Sequence, residues 1–140
     1  MYHSIGYKQD KQYEYWGAFG AYFGLTLEEI WLHYDAPKDD PFRKMLFHAS
    51  MRQCWGITLE DYPAESISLF VKSVLDSARD VRAENYAGLM CDDEQIGWMK
   101  TTFGQLVGFL VDWGLVTPEL AKEYDIDALI AMQEDGEELI

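Results

Sequence analysis

Three histidines and two cysteines are the residues of this chain best suited to nucleophilic, acid–base or metal chemistry, and their spacing limits what they can do. His33 follows Glu29 by one helical turn, with Asp35 close by. An imidazole and a carboxylate on one helix face is how helical bundles hold metals, but a two-metal bundle needs matching Glu-x-x-His pairs on other helices. The sequence supplies none: His48 has no acid three or four residues away, and His3 is terminal. Cys54 could pair with His48, but Arg52 is the only nearby positive charge that would favour a thiolate. Neither Cys54 nor Cys91 stands at a metal-ligand spacing. Both lie in apolar stretches, so reduced, buried thiols and a cytoplasmic location are expected. Glycine-rich phosphate loops, nucleophile elbows and His-Glu-x-x-His are absent. Paired acids such as Glu28/Glu29 and Asp92/Asp93/Glu94 read as helix N-terminal acids. The expectation is no catalytic residue, no metal and no cofactor; a ligand-binding bundle built on Glu29, His33 and Asp35 is the least favoured alternative.

The elements that carry these residues read as helices. Apolar spacing is helical almost throughout, and no stretch alternates with period two. The clearest stripe runs through residues 63–89, where Ile67, Phe70, Val71, Val74, Leu75, Ala78 and Val81 share one side. Ser66, Ser68, Lys72, Ser73, Asp76, Ser77, Arg79 and Asp80 lie opposite. This segment is expected to be the long helix at the centre of an all-α domain of five to seven helices. Asp40-Pro41 reads as an N-cap and first residue of a helix reaching about residue 55; further helices are expected over 92–113, 117–124 and 126–132. Residues 12–23 also read as helix, and the first ten fit a strand or ordered coil. The whole is one domain over residues 1–133 with an acidic tail over 134–140.

A further pattern recurs three times: Phe23-Gly24-Leu25-Thr26, Trp55-Gly56-Ile57-Thr58 and Trp113-Gly114-Leu115-Val116-Thr117. Each reads as a helix ending on an aromatic residue, a left-handed glycine, an apolar residue and a threonine N-cap. The unequal spacing excludes a regular repeat array. The joint has the form of a DNA-binding helix-turn-helix, but the helices that follow open on acids, which repel phosphate.

Charge is the most informative feature. The net charge is −14, and it is uneven: residues 1–82 carry twelve acids and nine bases, residues 83–140 thirteen acids and only Lys100 and Lys122. Direct nucleic-acid binding and anionic membranes are therefore disfavoured. The longest apolar run, residues 103–116, contains Gln105 and Asp112 and cannot serve as a membrane span, and the N-terminal residues have no leader-peptide pattern. A field of this sign steers basic protein surfaces. Asp92, Asp93, Glu94, Asp112, Glu119, Glu123, Asp125 and Asp127 are the candidate contacts. Small acidic helical inhibitors that imitate nucleic acid, of the phage or mobile-element anti-defence type, have this physical profile, a resemblance of composition alone.

Ten aromatics crowd residues 1–34, more than one helix face can bury. Tyr13, Tyr15, Trp16, Trp31 and Tyr34 are the candidates for a second, aromatic interface. Gly97, Thr101, Gly104 and Gly108 form a stripe of small residues that expects a closely packed neighbouring helix, or a second copy of the chain in a homodimer. The functional expectation is a non-catalytic module whose acidic C-terminal region docks on a basic partner, such as a nucleic-acid-binding protein. The alternative is a structural, assembly or chaperone-like subunit using the aromatic region.

Overall fold

The computed structural model describes residues 2–7, 15–50, 56–84, 93–124 and 126. These form β1 (Tyr2–Gly6), β2 (Tyr15–Phe19), α1 (Gly20–His33), α2 (Pro41–Ser50), β3 (Gly56–Thr58), α3 (Ala64–Arg82), α4 (Asp93–Asp112) and α5 (Pro118–Glu123). The chain is mostly helical, as the periodicity indicates, with a small sheet of order β2-β1-β3. β1 pairs antiparallel with β2, Ile5 opposite Trp16, and parallel with β3, Ile5 opposite Ile57. No helix among the described residues is long and apolar enough to cross a membrane.

The sheet corrects the reading of residues 12–23 as helix. Residues 15–19 are strand, and α1 starts only at Gly20. Tyr, Trp and Phe favour a pleated surface, and β1 supplies the hydrogen-bonding edge. The proposed joint at Gly24 is absent as well: α1 runs through it without a break. Thr26 caps nothing; it is buried, and its hydroxyl points at Met99 Sδ on α4, 3.8 Å away. At the second joint Gly56 belongs to β3, and Thr58 leads into a short 3-10 turn (Leu59–Asp61) without a side-chain cap. Tertiary pairing overrides the cap signals at both places.

The third joint forms as its residues indicate. Gly114 has φ +77, Leu115 N–H donates to Leu110 O at 2.9 Å, and Gly114 N–H to Val111 O at 3.0 Å. These are the two bonds of a Schellman turn. Thr117 then caps α5, its hydroxyl accepting from Leu120 N–H at 3.1 Å, with Pro118 next.

The packing centre also differs from the expectation of a helix over 63–89. α3 stops at Arg82, where Glu84 turns left-handed (φ 59) and its carboxylate accepts from Lys100 Nζ of α4 at 2.8 Å. The element that meets α2, α3, α4 and the sheet is α1. Thr26, Leu27, Glu29 and Ile30 are all fully buried, while Glu28 and Leu32 on its other side are exposed. Leu27, Ile30, Leu46, Phe70, Val74, Met99, Phe103 and Leu106 make the core around it. Within that core Phe42 packs against Tyr62, Phe70 and Tyr34, with ring centroids 4.8, 5.2 and 5.9 Å away.

α3 meets α1 through serines that its pattern had assigned to solvent. Ser66, Ser73 and Ser77 are buried. Ser77 Oγ donates to Glu29 O at 3.3 Å, and Ser73 Oγ lies 3.4 Å from His33 O. Small side chains bring the two backbones close, and the hydroxyls satisfy their own polarity on helix carbonyls.

Asp40 joins the ends of three helices. Its Oδ2 accepts from Phe42 N–H at 3.1 Å, Arg43 N–H at 2.9 Å and Tyr34 Oη–H at 2.7 Å; its Oδ1 accepts from Ser66 Oγ at 2.7 Å. Burial pushes this carboxyl up, but the donors from Ser66, Tyr34, Arg43 and Phe42 outweigh it and hold Asp40 below its ordinary 3.8. Tyr34 moves the other way: burial, then the bond to Asp40 and that group's charge, raise it well above its ordinary 10.0.

The signs follow by linkage. A lowered acid contributes stability above 3.8 and loses it as pH falls below that value; a raised phenol contributes below 10.0 and loses it as pH rises above. Asp40→Ala should cost about 2–4 kcal/mol, a lost cap plus unmet buried donors. Asp40→Asn should flatten the acid limb of stability against pH, measured by urea denaturation. Gly114→Ala should cost about 1–2 kcal/mol through backbone strain alone, because a Cβ there meets nothing within 4 Å.

Candidate functional site

Two places in this fold gather chemically capable side chains. The first lies between α1 and α3. Glu29 and His33 stand one turn apart on α1, as their spacing requires. The third member is Asp80 of α3, while Asp35, named beside them from sequence, sits exposed after the end of α1. His33 Nε2 is 3.1 Å from Asp80 Oδ2 and 3.5 Å from Glu29 Oε1. Neither contact has hydrogen-bond geometry, and among the described residues the buried Nε2 has no other hydrogen-bond partner. Glu29 is fully buried; the side chains of His33 and Asp80 are 20% and 25% exposed. One ligand atom from each of the three lies within 4.8 Å of the others.

The local sequence explains why this cluster is held in place. Ser77 bonds the carbonyl of Glu29, and Ser73 approaches that of His33. Asp80 follows Ser77 by three residues on α3, so the serines that bring the helices together also set Asp80 against His33. Sequence reasoning found two of the three members. The signal for the third was the serine spacing of 66, 73 and 77, which marks a helix contact and turns Asp80 inward beside it.

The second place is the outer face of α4. Glu94 and Trp98 are one turn apart, as are Asp93 and Gly97, and Gly97 and Thr101. Asp93, Glu94, Gly97, Trp98 and Thr101 line an open, shallow groove, and Trp98 is 50% exposed. A Cβ at Gly97 would meet nothing within 4 Å, so the groove floor is free space rather than a seat for a neighbouring helix. Lys100 is turned to Glu84 and leaves the two acids unneutralised from that side.

The other sequence candidates are distributed differently. Asp112, Glu119 and Glu123 are exposed at the opposite end of α4 and on α5. Twenty residues of α4 separate the two acidic groups by about 30 Å of helix axis. Among the described acids there is no single continuous face. Asp92, Asp125, Asp127, Tyr13, Cys54 and Cys91 lie outside the described residues, as does the tail over 134–140. Tyr15 and Trp16 belong to β2.

Of the aromatic candidates, Tyr34 is buried and committed to Asp40, which removes it from an external interface. Trp31 is half-buried, packed on Phe47 at 5.4 Å with the Arg43 guanidinium 5.4 Å from its ring centroid. Phe47 itself, which sequence reasoning passed over, is 45% exposed.

The small-residue stripe does not form one exposed seam. Gly97 is exposed, Thr101 and Gly108 are half-buried and Gly104 is buried. Among the described residues no atom lies within 4 Å of a Cβ built at Gly97 or Gly108, so none of them supplies the closely packed intramolecular neighbour expected there. Compared with protein-family models, curated proteins and solved structures, the chain matches none, and its function is read from this geometry alone.

Since the two outer glycines occupy open space, alanine there should recover helix propensity without a clash. Gly97→Ala and Gly108→Ala should each stabilise the fold by up to about 1 kcal/mol in thermal denaturation; a loss of stability would reveal a close contact across the stripe.

Proposed function

We propose that this protein is a non-catalytic binding module that captures a lysine- and arginine-rich protein segment on the outer face of α4. The observation that carries the reading is Trp98, half-exposed at an open groove that Asp93, Glu94 and Thr101 also line. An exposed indole beside two acids is suited to a cationic side chain: the ring face attracts the charge, worth about 0.5–2 kcal/mol, and the carboxylates receive its N–H groups. Residues 83–140 supply the longer-range field, thirteen acids against two bases, that draws such a partner in.

Basic grooves of nucleic-acid-binding proteins present this chemistry, so inhibition of such a protein, in the cytoplasm, is the finer form of the proposal. The wide separation of Asp93 and Glu94 from Asp112, Glu119 and Glu123 favours a local anchor over an extended imitation of a phosphate backbone. A second reading has its own observation. Phe47 and Leu32 are 45% and 48% exposed, and Phe47 packs on Trp31, which favours an apolar assembly contact on α1 and α2.

Salt separates the two. A lysine/arginine-rich peptide should quench Trp98 fluorescence, and its affinity should fall steeply between about 50 and about 500 mM salt, as the Debye length shrinks. A peptide of the same length with uncharged residues should not bind. Trp98→Ala and the double change Asp93→Asn/Glu94→Gln should each weaken binding severalfold while circular dichroism stays constant, since all three sites are exposed. Affinity indifferent to salt and to these substitutions would remove the α4 reading. Self-association indifferent to salt and lost in Phe47→Ser would establish the apolar one.

A further inference from the structure

We propose that Glu29, His33 and Asp80 form a binding site for a divalent transition-metal ion that ties α1 to α3. The site is separate from the α4 groove and does not depend on it. Its donors are one imidazole nitrogen and two carboxylates, with the Nε2 facing both acids at 3.1 and 3.5 Å. Ligand atoms about 2.0–2.1 Å from a tetrahedral ion stand about 3.3 Å from one another. The two observed separations bracket that edge, and Nε2 makes no hydrogen bond to either acid in this arrangement. The three ligand atoms lie within 4.8 Å of one another, and Asp80, a quarter exposed, has room to turn inward around an ion.

Charge is compatible with the same ligand. Glu29 is fully buried and Asp80 a quarter exposed, and a divalent ion between two carboxylates offsets the cost of taking them out of water. The donor set selects among cations: an imidazole suits zinc, cobalt, nickel or copper, while calcium requires six to eight oxygens, more than this site offers. The helices that carry the ligands are held together: Glu29 and His33 share a helix face, and Ser77 Oγ bonds the carbonyl of Glu29, while Ser73, whose hydroxyl donates to Leu69 O at 2.7 Å, packs near that of His33. The partial exposure of His33 and Asp80 gives the ion a way in and leaves the remaining coordination position to water.

The test is titration of the full chain with cobalt(II), followed by visible absorption, and with zinc, followed by calorimetry and melting temperature. The expected result is one equivalent bound, d–d bands without a thiolate charge-transfer band, and a melting temperature that rises with excess zinc. Asp80→Asn and His33→Gln should each weaken binding by more than about tenfold, since even outer partners of metal ligands cost that much. Magnesium in excess should not compete. The proposal is overturned if the unaltered chain binds neither cobalt nor zinc, which would leave the cluster a polar contact between α1 and α3. It is equally overturned by a thiolate band, which would assign the metal to Cys54 or Cys91, or by equal affinity in both variants. Because the cobalt spectrum is read on the unaltered chain, a variant that failed to fold would not shield the proposal.

Discussion

A helix whose buried face carries polar groups has to find partners for each of them, and α1 imposes that requirement on its neighbours. Its buried face includes Thr26 and Glu29 as well as Leu27 and Ile30. α4 answers the threonine with Met99 Sδ. α3 answers with hydroxyls on the carbonyls of Glu29 and His33, and with Asp80 beside the imidazole. The register of α3 along α1 is thereby set by polar contacts at specific positions. Apolar stripes alone would tolerate a slide of one turn. The clustering of Glu29, His33 and Asp80 is a consequence of that register, because Ser77 stands one turn and Ser73 two turns before Asp80 on α3.

Asp40 performs the corresponding task at the other end. One carboxylate caps α2, receives the phenol that closes α1 and receives the hydroxyl near the start of α3. Three chain directions are fixed by a single half-buried side chain that accepts four hydrogen bonds. Arg43, at the third position of α2, adds a bond to the carbonyl of Ala36 at 2.9 Å and so closes the loop between α1 and α2.

How much of this was legible follows from what each residue had to signal. α2, α4 and α5 announce themselves because their caps are local: Asp40-Pro41, the acids at 93 and 94, and Thr117-Pro118 act within one turn of the residue that carries them. The Schellman turn at Gly114 is readable for the same reason. α1 hides because Thr26 and Glu29 are buried while Leu32 is exposed, so its polar and apolar residues do not sort into a stripe. The amphipathic α3 therefore took its place as the expected centre. Ser66, Ser73 and Ser77 misled for a related reason, since a buried serine against a facing carbonyl looks in sequence like a solvated one. The strands were concealed because β1 and β3 meet only through pairing between residues some fifty positions apart. Of the metal-capable cluster, the pair with helical spacing was visible and the member from another helix was not. At the α4 groove the acids were visible, while the exposure of Trp98 depends on which side of α4 the core claims.

The strand order has a consequence for how the molecule comes together. β1 lies in the middle of the sheet, between β2, its neighbour in sequence, and β3, which begins at Gly56. The antiparallel partner closes a short loop, while the parallel pairing with β3 spans α1 and α2 and closes a long one. Each bond between β1 and β3 therefore ties together stretches that lie on either side of two helices in sequence, and the pairing holds the ends of that helical pair at one place.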